Sequence, residues 1–470
     1  MFMTHKIRAR RVADQAGGYR FAWSLAVALA VLLLSHDTWA GIPIQRWSQA
    51  SGVQVYLAES HAIPMVDLQI DFDAGGRRDP ADKAGLASVT AGMTSKGVLA
   101  GKGAAGVPEP ALDENGLSEA WVDLGASFGA SAGSDRMSFS LRSLTYPDLL
   151  SKAVQLAARQ LGEPSFPSDI WLRERERLGA ALKESDTRPG TVAGRAFASA
   201  VYGVHPYGLE MTEATLSRIS VADMKAVYAS LITPCRAKVS LVGAVTRAQA
   251  DVLVGQLFAR LPGGGSACAP LAPVPEVAAL AAPQDKRIAF DSAQAHVLLG
   301  QPGYKRDDPD FFALTVGNYI LGGGGFVSRL TSEVREKRGL SYSVYSYFSP
   351  GLHAGAFAIG LQTRPDQAKQ ALAVSREVLA RFVQEGPTQA ELDAAKSNLV
   401  GGFPLLIDSN RKLLGNVANI AWNNLALDYL DTWTQQIEKV TVPDVRAAFA
   451  RKLQPDKMVT VVVGATDAAN

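Results

Sequence analysis

The chain repeats itself at a fixed offset, and this constrains its fold more than any other feature. Ile219-Ser-Val-Ala-Asp-Met-Lys-Ala-Val-Tyr228 is matched by Val440-Thr-Val-Pro-Asp-Val-Arg-Ala-Ala-Phe449, with Asp444 lying 221 residues after Asp223. The same offset carries Gly243 to Gly464, which close the runs Ala237-Lys-Val-Ser-Leu-Val-Gly243 and Met458-Val-Thr-Val-Val-Val-Gly464. Each copy reads as a polar N-cap (Ser220 or Thr441) with an acid three residues on, then a helix, then an apolar strand ending in glycine. One ungapped offset across both elements is the signature of an internal duplication. At 470 residues the chain also exceeds what one hydrophobic core usually organises.

Between the copies lies Pro262-Gly-Gly-Gly-Ser-Ala, continuing Ala- and Pro-rich to about Pro283. Such a composition buries little and predicts a linker with flexible and extended parts. The expected organisation is a first half over 41–262, a linker over 263–284 and a second half over 285–470. Val53–Leu57, Val66–Phe72 and Met137–Leu141 have strand character. Helical spacing marks Leu149–Leu161, Trp171–Lys183, Asp366–Phe382 and Glu391–Leu399, the last with a capping box from Thr388 to Glu391. Strands and helices in separate runs predict an α+β class, not a doubly wound sheet.

Hydrophobic residues are 47% of the chain and charged ones 20%, which excludes a mainly disordered, collagen-like or disulfide-scaffold chain. The formal charge is +2, but five of the 47 basic residues and only two of the 45 acidic ones fall in the first forty, leaving −1 on the rest. A near-neutral body offers no bulk attraction to nucleic acid or anionic lipid. In the first forty residues a basic segment precedes the fourteen-residue run Phe21–Leu34 and the small-residue ending Thr38-Trp39-Ala40. That run is shorter than the roughly 20 residues a membrane-spanning helix needs, so 1–40 is expected to be an export signal, with an uncleaved anchor as the alternative. A periplasmic or otherwise exported protein with no further membrane attachment follows. Its two cysteines, Cys235 and Cys268, can pair in an oxidising compartment or stay as free thiols.

Two segments carry a resemblance. Asp73-Ala-Gly-Gly-Arg-Arg-Asp-Pro80 followed by Gly85-Leu-Ala-Ser-Val-Thr-Ala-Gly-Met93, and further on Tyr202-Gly-Val-His-Pro-Tyr-Gly208, are similar to the pitrilysin/insulinase family of zinc peptidases. In that family a glycine-rich bend precedes a helix bearing H-x-x-E-H. The two histidines, four apart on one helical face, grip Zn²⁺, and the glutamate between them is the general base. Here the histidine positions are Ser88 and Gly92 and the glutamate position is Ala91. The third ligand, a glutamate from a later helix, would fall at Lys183 or Glu184. The six histidines, His5, His36, His61, His205, His296 and His353, include no pair four apart, so no zinc-peptidase motif exists in either orientation. No metal is expected in this chain. His205, with no partner histidine nearby, reads as a structural turn or surface residue rather than a ligand.

The second half keeps more of the family pattern. Ile320-Leu-Gly-Gly-Gly-Gly-Phe-Val-Ser-Arg-Leu330 leads into Thr331-Ser-Glu-Val-Arg335-Glu-Lys-Arg338-Gly-Leu-Ser-Tyr342-Ser-Val-Tyr345. The resemblance implies that Arg335 and Tyr342 face a zinc site across a closed chamber, with Arg338 and Tyr345 as substitutes if the register differs. A phenol there can donate to the oxyanion formed when water attacks a peptide carbonyl, and a guanidinium can hold substrate carbonyls. Taken alone, Arg335 reads as a solvated charge on a helix rich in Glu and Lys and Tyr342 as a half-buried strand aromatic; the flanking match favours the site reading. Gly322, Gly323, Gly324 and Gly325 are either a turn between helices or, as in the similar mitochondrial processing peptidases, a loop that engages substrate. Gly101-Lys-Gly-Ala-Ala-Gly106 fits a dinucleotide motif in letters only, because no strand precedes it and no helix follows.

The resemblance covers nearly all of 41–470 and implies two α+β halves, each a mostly antiparallel sheet packed with helices, joined as a clamshell. It further implies the non-zinc subunit of an exported heterodimeric metallopeptidase. Zinc would lie in a homologous partner bearing H-x-x-E-H, and the substrate would be an unfolded peptide added as a strand along a sheet edge. The small-residue stretch Gly125–Gly133 would leave room for that strand. A peptide-binding chaperone and a structural scaffold subunit are the alternatives.

Overall fold

The computed structural model describes residues 41–103, 106–262 and 268–464. The expected export signal lies outside the described residues, as do 263–267 of the expected linker. From Pro43 onward the chain packs as one unit that contains both halves.

Each half is built on a sheet with the same strand order. The first runs Ile44–Ser48, Gln54–Glu59, Lys238–Gly243, Met65–Phe72, Met137–Leu144, Ser127–Ala132. The second runs Gln284–Ile288, Val459–Val463, Ala295–Pro302, Ala356–Thr363, Ser343–Phe348. Apart from the extra outer strand Ile44–Ser48, the two orders superpose element for element. In each sheet only the pairing between its copy of the duplicated strand and the strand before it in the sheet order is parallel: Lys238–Gly243 with Gln54–Glu59, and Val459–Val463 with Gln284–Ile288. All other pairings in the two sheets are antiparallel. The class is α+β, as the segregation of strands and helices in the sequence predicts.

The duplicated segment folds identically in both copies. Helices Val221–Leu231 and Val442–Lys452 each start with a complete capping box, Ser220 with Asp223 and Thr441 with Asp444. Each box satisfies backbone donors that the first helical turn would otherwise leave unpaired. The strands that follow close on Gly243 (φ +148°), the last residue of the first, and on Gly464 (φ +92°), directly after the second, backbone conformations open to glycine. The box from Thr388 to Glu391 is also present, opening helix Gln389–Gly402.

In the strand Met65–Phe72, Val66, Leu68, Ile70 and Phe72 point to one face and are fully buried. They join Leu57, Leu141, Phe139, Leu241 and the helices Pro147–Gly162 and Val221–Leu231 in the first core. Burial of each such side chain is worth about 1.5–3 kcal/mol. The second core gathers Leu299, Leu314, Phe357, Phe382 and Phe449 in the same way.

The alternate residues of that strand, Asp67, Gln69 and Asp71, should face water. Instead Asp67 and Asp71 are buried, because helix Asn410–Trp422 of the second half lies across this face of the first sheet. Helix Pro189–Tyr202 of the first half makes the reciprocal crossing onto the second sheet. There Ala193, Phe197, Ala200 and Val201 pack on Ala356, Ala358, Val459, Val461 and Val463. The two crossing helices begin at 189 and 410, again 221 apart. The chemistry of the two crossings differs. The second is mainly apolar, with one hydrogen bond from Ala356 N to the Tyr202 hydroxyl at 2.8 Å. The first is polar: Lys238 Nζ donates to the carbonyls of Ala421 (2.7 Å) and Trp422 (3.2 Å), and Arg136 pairs with Asp71 at 3.0 Å. Burial drives the Lys238 ammonium down to about 8 and pushes the Asp71 carboxyl up, against the pull of Arg136 and Ser138.

Residues 268–283 carry no regular secondary structure but are tied to both halves. A Cys235–Cys268 disulfide and a 2.8 Å hydrogen bond from Arg236 to the Ala269 carbonyl hold the start. His205 Nε2 donates to Pro275 O at 2.9 Å, and Glu276 meets Lys305 and His353, each at 3.2 Å.

Candidate peptidase-like site

The glycine-rich bend after strand Met65–Phe72 delivers the chain into helix Leu86–Met93. Gly85, at φ +100°, offers no capping side chain, so Asp79 does the work from six residues back. Its carboxylate accepts from the Gly85 and Ala87 N–H groups, both at 2.9 Å. Burial pushes the Asp79 carboxyl up to about 6 even though these backbone donors favour its charged form. The bend is clamped by Arg77 to Asp73 (2.6 Å) and to Asp135 (3.2 Å).

On this helix Ser88 and Gly92 are exposed on one face, as an i, i+4 pair must be, while Ala91 is buried in the first core. Ser88 and Gly92 line a cavity of about 310 Å³ whose far wall is helix Ser168–Asp186. That helix contributes Glu174, not the expected Lys183 or Glu184. Lys183 pairs with Glu213 at 3.5 Å and Glu184 with Arg188, both at the surface. Sequence spacing could not find Glu174, because which turn of one helix meets another depends on their crossing. Glu174 lies 2.8 Å from Arg177 and 3.4 Å from Lys96. Burial opposes its ionisation, but these two cations prevail and hold its carboxyl below the usual range. A hydroxyl, a glycine and a carboxylate already neutralised by two cations do not fit Zn²⁺, which takes imidazole, thiolate or free carboxylate ligands. Among the described residues no cluster of three His, Cys, Asp or Glu side chains is placed to hold a metal.

His205 opens the short turn Pro206–Gly208, its Nδ1 accepting from Tyr207 N at 3.1 Å. It is buried rather than on the surface, with its ring centre 5.1 Å from that of His353. Its role is structural, joining the turn to the 268–283 segment.

The second half assembles the other predicted residues. Gly322 is buried beneath the edge strand Ser343–Phe348, where a Cβ would sit 2.5 Å from Ser346 N, so only glycine fits. Asn318 and Ser346 bond reciprocally at 2.8 and 3.2 Å and fix the loop's base to that strand. Gly323, Gly324 and Gly325 then carry the chain outward, Gly325 at φ +62°, to Phe326, which is 69% exposed. The next turns, Thr331–Glu336, are π-helical and present Arg335, a departure from α-helix geometry often found at functional sites.

Arg335 lies between two rings. Its Cζ is 4.7 Å from the centre of Phe326 and 4.6 Å from that of Tyr342. Tyr342 is 82% exposed. Glu333, on the same turn, is claimed by Lys337 and Arg338, each at 2.6 Å. Arg335 has no ion pair or side-chain hydrogen bond among the described residues, so its five donors stay available while its plane is held. Arg338 is thereby occupied, and Tyr345 stacks on Tyr347 along the edge strand at 6.0 Å. Phe326 joins the cluster without being among the residues expected from the sequence, although an aromatic directly after a four-glycine run is a visible signal. Behind the loop, Arg329 forms a double hydrogen bond with Glu391, both at 2.7 Å. The Ser88/Gly92 cavity and the Arg335 cluster share no hydrogen bond, ion pair or ring contact among the described residues.

A chain with two duplicated α+β halves, a peptidase-like bend and helix, and an exposed Arg/Tyr cluster defines a peptidase-like class. Residues 218–399 match the peptidase M16 inactive domain family. The crystal structure of a peptidase M16 inactive domain from Pseudomonas fluorescens is similar at 36% identity and a TM-score of 0.83, over 91% of this chain and 99% of that one. The chain belongs to this family and shares its clamshell of two similar halves. An uncharacterized zinc protease from Streptomyces coelicolor is 32% identical over 281 residues, 57% of this chain and 60% of that protein. The chain thus spans about 60% of that curated relative's length. The non-peptidase homolog YmxG from Helicobacter pylori is 26% identical over 84% of this chain and 87% of its own length.

Proposed function

We propose that this chain is the non-zinc subunit of an exported, two-chain metallopeptidase, supplying Arg335 and Tyr342 to the zinc site of a homologous partner that bears H-x-x-E-H. The carrying observation is the Arg335 guanidinium held between Phe326 and Tyr342 with its donors unclaimed. The role of Tyr342 is to donate its phenolic hydrogen to the oxyanion that forms when water, activated on the partner's zinc, attacks a peptide carbonyl. Arg335 holds neighbouring carbonyls of the substrate, while Gly323–Gly325 and Phe326 contact its chain. The substrate is an unfolded peptide laid as an added strand on a free sheet edge. Ser127–Ala132 is such an edge strand, built largely from small residues. Splitting the site across two chains suppresses stray hydrolysis, since donor and activated water meet only on closure.

Export is supported by the leader-like first forty residues and by the Cys235–Cys268 disulfide, a linkage that persists in oxidising compartments. Among the described residues no helix is long and apolar enough to cross a membrane.

The test is affinity purification of the tagged chain from envelope extract, with mass spectrometry of what accompanies it. A similar-sized exported chain bearing H-x-x-E-H in one-to-one ratio is expected, with zinc and chelator-sensitive cleavage only in the pair. If the chain emerges alone, or cleaves peptides by itself with its own tightly bound zinc, the proposal fails.

A further inference from the structure

A second cavity, of about 310 Å³, opens in the second half away from the Arg335 cluster and is walled by Arg306, Phe311, Phe403, Asn419, Tyr429 and Trp433. Its chemistry is unusual because Arg306 is only 8% exposed and has no carboxylate partner among the described residues. Its guanidinium stacks flat on Phe311, 3.8 Å from the ring centre, with Tyr429 at 5.2 Å. One terminal nitrogen donates to the Tyr429 hydroxyl at 2.7 Å. The other guanidinium nitrogens make no hydrogen bond among the described residues, and they are not sealed atoms left orphaned in the interior. The nearby acids are engaged elsewhere: Asp308 with Lys452, and Asp310 with Arg451 at 2.6 Å. Buried charges in proteins are ordinarily paired, and a planar guanidinium fork fits a carboxylate through two parallel hydrogen bonds.

The rest of the wall is apolar and flat-sided. Phe403 and Trp433 stack at 5.1 Å and form one side. Asn419 also lines the cavity, its side-chain carbonyl oxygen taken by Asn423 at 2.8 Å while its amide nitrogen makes no hydrogen bond among the described residues. The volume is at the lower end of what small-ligand pockets hold. We infer that this cavity is a binding site for a carboxylate attached to an aromatic or branched apolar group, with Arg306 as the anion receptor and Phe403 and Trp433 as the stacking surface. The same chemistry is offered by a free aromatic acid and by the C-terminal residue of a peptide, and the probes below separate the two.

The experiment is titration calorimetry on the full chain with four probes: 3-phenylpropanoate, 3-phenylpropanamide, N-acetyl-phenylalanine and its amide. At least one acid is expected to bind about tenfold or more tightly than its amide, since the amide forfeits the charge-assisted pair. Preference for N-acetyl-phenylalanine identifies a peptide C-terminus as the natural source, and preference for 3-phenylpropanoate a free acid. Arg306→Gln should abolish the acid-over-amide preference, and Arg306→Lys should retain only part of it, having charge without the planar fork. If Arg306→Gln fails to fold, the acid and amide pairs on the unaltered chain still decide. Equal binding of acid and amide, or no heat from either acid at millimolar concentration, overturns the inference.

Discussion

The Arg335 Cζ lies 4.6 Å from the ring centre of Tyr342 and 4.7 Å from that of Phe326. The stack holds a charged group and a phenol side by side at the surface without using a hydrogen-bonding atom of either. Tyr342→Phe retains the ring, so it isolates the hydroxyl. If the proposed two-chain pairing holds, it should lower the pair's turnover by roughly 10²-fold, the usual cost of losing one oxyanion donor, with KM little changed. An unchanged rate of peptide cleavage would remove the shared-site reading.

Glu391 both caps its helix through Thr388 and receives the Arg329 fork. Burial works to raise its carboxyl, but Arg329 and Thr388 overcome this and hold it at about 2. A folded value below the unfolded one means the contribution is complete above roughly pH 4.5 and lost as pH falls through about 2. Glu391→Gln should therefore cost about 1–2 kcal/mol by urea unfolding at neutral pH and progressively less in acid. A uniform cost at all pH values would show that the charge is not what matters.

Asp79 has the opposite sign. Its folded value, raised by burial to about 6, exceeds the 3.8 of an unperturbed aspartate. The folded state thus binds the extra proton, and this stabilisation is full below about pH 4 and lost as pH rises through about 6. Between those limits the melting temperature of the natural chain should decline relative to that of Asp79→Asn, which cannot titrate. Parallel melting curves across pH 4–7 would contradict it.

The Cys235–Cys268 disulfide closes a loop with a sequence separation of 33. Chain-entropy reasoning gives about 3–4 kcal/mol for a loop of that size. Replacing both cysteines with serine should lower denaturant stability by that order, and reductant should affect the natural chain but not the double variant.

The apolar crossing between halves also has a measurable weight. Phe197, only 5% exposed, is inserted against the second sheet. Phe197→Ala should destabilise the chain by about 3–5 kcal/mol and do so cooperatively, because the two halves share that contact. Loss of only the first half's unfolding transition would mean the halves are energetically separate.

The sequence by itself determined what depends on neighbours along the chain. The capping boxes at Ser220, Thr441 and Thr388, the strands ending at Gly243 and Gly464, and the 221-residue duplication are all short-range patterns that leave letters at fixed spacing. Tertiary structure alone decided the rest. The exchange of helices 189–202 and 410–422 between halves buries Asp67 and Asp71 on a strand face that alternation assigns to solvent. The helix crossing selects Glu174 over Lys183 and Glu184 to face Ser88. The stack of Phe326, Arg335 and Tyr342 needs a glycine run, a π-helical turn and an edge strand to converge. Such contacts arise from packing between elements far apart in the chain, and packing leaves no periodicity for a linear reading to find.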